Sequence, residues 1–211
     1  MISQLQKEIA EKDSDKEEIA DRVIKNPESL EEIFEGLNAN KANIKYGCEK
    51  VLRLISEKNP AVLYPWFDFF VELLNSDNNF LNWGAIKIIA NLTTVDSENK
   101  FESIFSKYFA PIPGPQLIPA ANTIDSAAII VLTKPHLTDR ITRELLKVEK
   151  ARYQTVECRN IALGKAIKSF DQFFDQIEDK EPVIKLIKKQ LKNTRNATKK
   201  KAEKFLKKWL N

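Results

Sequence analysis

Apolar residues recur at helical rather than strand spacing along most of the chain. Between Asn59 and Leu74, the residues Leu63, Trp66, Phe67, Phe70, Leu73 and Leu74 fall three or four apart, which predicts one apolar helix face. Pro60 and Pro65 fit such a helix only near its start, where a missing amide hydrogen leaves no bond unmade. The polar run Ser76-Asp77-Asn78-Asn79 predicts a turn. A second helix then follows, with Leu81, Ala85, Ile88, Ile89 and Leu92 on one face and an end near Val95 and Asp96.

The same arrangement stands 37 residues earlier, where Ile44, Gly47, Cys48, Val51, Leu52 and Ile55 match Leu81, Gly84, Ala85, Ile88, Ile89 and Leu92. Weaker copies are Cys158, Ala162, Ala166 and Ile167, and then Thr198, Ala202, Phe205, Leu206 and Trp209. Prolines open successive first helices at Pro27, Pro60, Pro135 and Pro182, with Ser97 in that place in the third unit. The repeat units are therefore 27–57, 60–95, 97–133, 135–177 and 182–210, in one domain covering 27–211. Residues 1–26 lie outside them. Ser14-Asp15-Lys16-Glu17 and Ser29-Leu30-Glu31-Glu32 both fit capping boxes, so the acidic segment is expected to contribute one short helix. No unit can bury its apolar face alone, and stacking the five gives one continuous core.

The second helices read Ile44-Lys45-Tyr46-Gly47-Cys48, Leu81-Asn82-Trp83-Gly84-Ala85, Cys158-Arg159-Asn160-Ile161-Ala162 and Thr198-Lys199-Lys200-Lys201-Ala202. This pattern resembles the HEAT repeats, whose unit pairs a proline-initiated helix with a second helix carrying valine-arginine-x-x-alanine. The third unit departs from it with Ile124-Asp125-Ser126-Ala127-Ala128, in a helix expected over Leu117 to Thr133. The resemblance spans residues 27–210. It implies an all-α, right-handed solenoid of about five antiparallel helix pairs, with the second helices lining a concave groove. Asn82-Trp83 is also similar to a tryptophan-centred motif of the HEAT-like DNA alkylation repair glycosylases. The acidic residue expected shortly after that tryptophan is absent, since Gly84, Ala85, Ile86 and Lys87 follow.

Composition agrees with a folded helical chain. Of 211 residues, 43% are hydrophobic and 30% charged, which excludes a wholly disordered or collagen-like chain, and only five glycines and nine prolines leave too little turn chemistry for many short strands. Cys48 and Cys158 are too few for a disulfide framework and lie in apolar-periodic stretches as matching small core residues, which points to a reducing compartment. No apolar core of secretory length lies near the start, and the least charged run, Tyr108 to Thr133, is broken by prolines. A soluble cytoplasmic protein without a membrane span is expected. Charge is polarised: residues 1–39 hold eleven acids and five bases, whereas 185–211 hold eleven bases against Glu203 alone.

Catalytic chemistry is thin. His136 is the single histidine, at a helix start, with no sign of a nucleophile beside it. The carboxylate pairs Asp68 with Glu72 and Asp171 with Asp175 read as solvated helix faces, and the glycines stand singly rather than in a phosphate-cradling loop. No catalytic residue, metal or cofactor is assigned. Phe170, Phe173, Phe174 and Ile177 read as core, and Trp209 as the residue that docks the last helix. The informative surface is the outward face of the second helices, carrying Lys45, Tyr46, Lys50, Arg53, Trp83, Lys87, Arg159, Lys199, Lys200, Lys204 and Lys207. Aromatics interleaved with bases suit a protein or peptide anchor, which leads, or nucleic acid held through the basic C-terminal end. The opposing expectation is that Tyr46 and Trp83 pack between units.

Overall fold

The computed structural model describes residues 2–210, and among them every regular element is a helix. The chain divides into two compact units, Met1–Glu102 and Ser103–Asn211.

Unit 1 holds α1 (Gln4–Ala10), α2 (Lys16–Lys25), α3 (Leu30–Gly36), α4 (Ala42–Lys58), α5 (Phe67–Leu73) and α6 (Asn79–Leu92). The helices α2 and α6 both pack on α4, α3 also contacts α4, and α5 packs on α6. All six residue pairs of the 37-residue repeat are buried: Ile44 and Leu81, Gly47 and Gly84, Cys48 and Ala85, Val51 and Ile88, Leu52 and Ile89, Ile55 and Leu92. The period therefore reports packing. The same turn of each helix needs a small residue for close approach and branched apolar residues one turn on.

The expected helix from Pro60 to Leu74 is broken. Two 3-10 turns, Pro60–Val62 and Tyr64–Trp66, precede α5. Pro65 has no amide hydrogen and disfavours helical backbone at the residue before it, so the α-helix starts only at Phe67. The core of this segment is Leu63, Phe67 and Phe70. Trp66 is displaced from it to 38% exposure and stacks at 4.6 Å on Phe34, which also meets Phe69 edge-on.

The acidic N-terminal segment forms two helices rather than one. Ser3 and Gln6 make a reciprocal capping box at the start of α1, and the buried Gln6 amide donates to the Glu32 carbonyl at 2.6 Å. Ile9 is buried against α4 at Gly47. The N-cap of α2 is Asp15, whose carboxylate accepts from the Glu17 and Glu18 amides, so Ser14 is not the cap. Ser29 has helical backbone and makes no side-chain cap, because Pro27 has already opened a 3-10 turn over Pro27–Ser29. Lys58 of α4 ties α2 down through Glu17 and Asp21, each at 2.8 Å.

The helix α7 (Lys100–Phe109) carries the chain from the first unit into the second. Unit 2 continues with α8 (Leu117–Thr133), α9 (Thr138–Leu146), α10 (Val156–Phe173), α11 (Glu181–Lys189) and α12 (Asn196–Leu210). Here α10 packs between α8 and α12, while α11 contacts α9 and α12. Pro135 opens a 3-10 turn before α9, and Pro182 sits in the first turn of α11. Phe170, Phe173, Phe174 and Ile177 are buried as expected. Trp209 stacks on Phe174 at 5.1 Å and donates from Nε1 to Asp171 at 2.7 Å, which docks the last helix. Asp125 of α8 is paired with Lys165 of α10.

Candidate interaction surfaces

Asn78 starts the most distinctive surface of unit 1. Its carboxamide oxygen accepts from the amides of Phe80 and Leu81 and caps α6, as asparagine does well at a helix start. Its nitrogen reaches the Tyr46 hydroxyl of α4 at 3.5 Å. The cap fixes Phe80 in the first turn of α6, where its ring lies 4.7 Å from Tyr46 and 5.1 Å from Trp83. Three rings from two helices thus form a continuous step. Phe80 is its outer face at 53% exposure, while Tyr46 and Trp83 are half-buried. The Trp83 Nε1–H is buried and has no acceptor. Tyr46 and Trp83 pack between α4 and α6, and they also back an exposed aromatic.

Beneath the step lies Glu49, one turn after Tyr46 on α4. Its carboxylate covers Gly84, so a side chain at that point of α6 would have to displace the Glu49 side chain. The Glu49 side chain is 16% exposed and faces Arg53 at 3.6 Å, and Arg53 also binds Glu57 at 3.2 Å. Burial pushes the Glu49 carboxyl above its ordinary range, with Arg53 and Lys87 pulling it back and Glu57 adding to the rise. The folded protein therefore holds this proton more tightly than the unfolded chain, and stability falls as pH rises from the ordinary carboxylate value through the raised one. In a series of thermal melts across that window, Glu49→Gln is expected to remove this fall, so the variant gains on the wild type as pH rises.

Of the residues singled out in the sequence, Lys45, Tyr46, Arg53, Trp83 and Lys87 belong to unit 1, and Arg159, Lys199, Lys200 and Lys204 to unit 2. Lys87 is exposed one turn beyond Trp83, Lys45 is half-buried beside Tyr46, and Arg53 is held by its two carboxylates. Arg159 is half-buried, whereas Lys199, Lys200 and Lys204 are exposed on α12. Phe80, Glu49 and Asn78 were not among the expected site residues. Phe80 stands three residues before Trp83, so helical spacing alone places the two on one face.

The remaining candidates fall into structural places. Cys48 is fully buried, and burial pushes its thiol up to about 12, which suits a packing residue rather than a nucleophile. Cys158 is only half-buried, because Ala162 fills the small buried position of α10 that corresponds to Cys48 and Ala85. Both cysteines are free thiols. Asp171 is engaged by Lys208 and Trp209, and Asp68 and Glu72 are exposed. His136 is exposed in the turn before α9. No helix among the described residues is long and apolar enough to cross a membrane.

No protein-family model and no curated protein matches the chain. Among solved structures, it is similar to the crystal structure of an engineered protein from the Northeast Structural Genomics Consortium, with a TM-score of 0.53 at 12% identity, covering 96% of this chain and 86% of that one. At that identity the likeness concerns the fold, and it agrees with an all-helical chain of packed neighbouring helices.

Proposed function

We propose that the chain is a non-enzymatic, cytoplasmic HEAT-like solenoid scaffold that binds a protein or peptide partner on the outward face of its second helices, with the Tyr46–Phe80–Trp83 step as the anchor. The observation that carries this reading is Phe80, a large apolar side chain held 53% exposed by its own helix cap and backed by two rings. Aromatic side chains pre-ordered by packing bind with little loss of rotamer freedom and are the residues around which binding energy concentrates. Lys45, Lys50 and Lys87 make no ion pair among the described residues, so the partner segment is an apolar or aromatic anchor flanked by acids. The repeated burial pattern and the proline-initiated first helices support the solenoid.

Peptide display on the folded protein, with counter-selection against Phe80→Ala, tests the reading. Enriched peptides are expected to carry an apolar anchor with nearby acids and to lose about 30-fold in affinity for Phe80→Ala, the scale of a hot spot worth about 2 kcal/mol. The melting temperature should change little, since Phe80 is mostly outside the core. Enriched peptides that bind both proteins equally, or none at all, would refute it.

A further inference from the structure

Unit 2 carries 22 basic and 11 acidic side chains, a net charge of +11, against −7 for unit 1. Most of those bases are ordinary solvated lysines, and one group is not. Lys201 of α12 is half-buried, with its Nζ 3.6 Å from the point where a Cβ on Gly164 of α10 would stand. The missing side chain at Gly164 leaves room there for the ammonium and for Thr198, whose hydroxyl donates to the Asn160 carbonyl at 2.7 Å. Around Lys201 stand Lys165, Lys168, Arg195 and Asp125. Asp125 is taken by Lys165, and Arg195 by Glu157. Among the described residues neither Lys168 nor Lys201 has a carboxylate within ion-pair distance. Burial first, then repulsion from Lys165 and Lys168, pushes the Lys201 ammonium below the ordinary lysine value. An anion placed between α10 and α12 would relieve both effects. Lys200, Lys204 and Lys207 continue the positive face along α12, each exposed and without an ion pair among the described residues.

We infer that Lys168 and Lys201, with Lys200 and Lys204 beside them, form a binding surface for the phosphodiester backbone of a nucleic acid, separate from the aromatic step of unit 1. Ala202 and Phe205 of α12 are buried in unit 2, and of its large apolar residues only Leu210, at the very end, is exposed, so the helix offers no continuous apolar side to lay into a membrane. No aromatic is exposed within the cluster to anchor a peptide. A row of bases without apolar anchors suits a polymer that presents regularly spaced charge and releases counterions when bound. Recognition is then of backbone rather than base sequence.

The test is fluorescence anisotropy of the full-length protein with labelled single-stranded and duplex oligonucleotides at salt from about 50 to 200 mM. Wild type is expected to bind at the low end. Lys168→Gln/Lys201→Gln should weaken that binding and lower the duplex salt slope by about 1.8, so that the loss of affinity across the range shrinks about tenfold. Phe80→Ala should leave oligonucleotide binding unchanged, which keeps this outcome distinct from that of the peptide reading. The inference is overturned by no binding at low salt, by an unchanged slope in the double variant, or by binding to phosphatidylserine vesicles without binding to oligonucleotides. Both lysines are near the surface, so a melt matching wild type is expected for the double variant.

Discussion

Replacing Ala85 with arginine is expected to abolish cooperative folding of unit 1. Ala85 is 1% exposed and sits where α6 presents a small residue, matching Cys48 one repeat earlier. An arginine there brings a long side chain into a close-packed site and an unpaired charge out of water. The cost is several kcal/mol, on the order of the whole stability of a domain of this size. Two residues on, Lys87 is exposed, and Lys87→Ala should stay within about 0.5 kcal/mol of wild type. Circular dichroism melts of the pair read the contrast directly. An unchanged melt for Ala85→Arg would place the residue outside the core and undo the packing account of the repeat.

Removing the Asp96 carboxylate is the second large effect. Asp96 is buried and accepts the Tyr64 hydroxyl at 2.7 Å, the Lys100 amide at 2.8 Å and the Phe101 amide at 3.0 Å. It therefore caps α7 and at the same time fixes the turns before α5. Asp96→Ala leaves these donors without the carboxylate and should cost about 2–4 kcal/mol, from a lost cap and charge-assisted bonds in a buried place. Tyr64→Phe breaks one of the three bonds without stranding a donor and should cost about 1 kcal/mol. A chemical-denaturation cycle of the two single variants and the double variant measures their coupling, and strict additivity would show that the Tyr64 bond contributes nothing.

Asp96 also marks where pattern reading stops. Ser97 stands in the place of a proline at the start of the third unit, yet the capping carboxylate is that of the residue before it. Asn99, at φ 55°, then turns the chain into α7 in the left-handed region that asparagine tolerates. Helix existence and the burial register were legible because they depend on residue size and spacing, which the 37-residue repeat displays twice. The break at Pro65 and the second N-terminal helix were not. The first depends on a backbone restriction that outweighs the spacing of Trp66 and Leu73, and the second on a seven-residue helix with only Gln6 and Ile9 buried. The surface was half legible. Tyr46 and Trp83 stand out as repeat-equivalent aromatics, and Phe80 shares the face of Trp83 at helical spacing, whereas its stacking on Tyr46 and the place of Glu49 over Gly84 are contacts across α4 and α6 that no linear pattern contains.

The proposed role of the exposed aromatic step of unit 1 is to meet a protein. It is tested most directly by placing the photo-crosslinking residue p-benzoylphenylalanine at position 80 and irradiating the protein in its native cell, with nuclease added at lysis. A discrete crosslinked polypeptide is expected that survives nuclease, is absent when the same residue replaces the exposed Glu57, and is lost when Trp83→Ala is added. A nuclease-sensitive adduct at position 80, or the same adducts from positions 80 and 57, would contradict it.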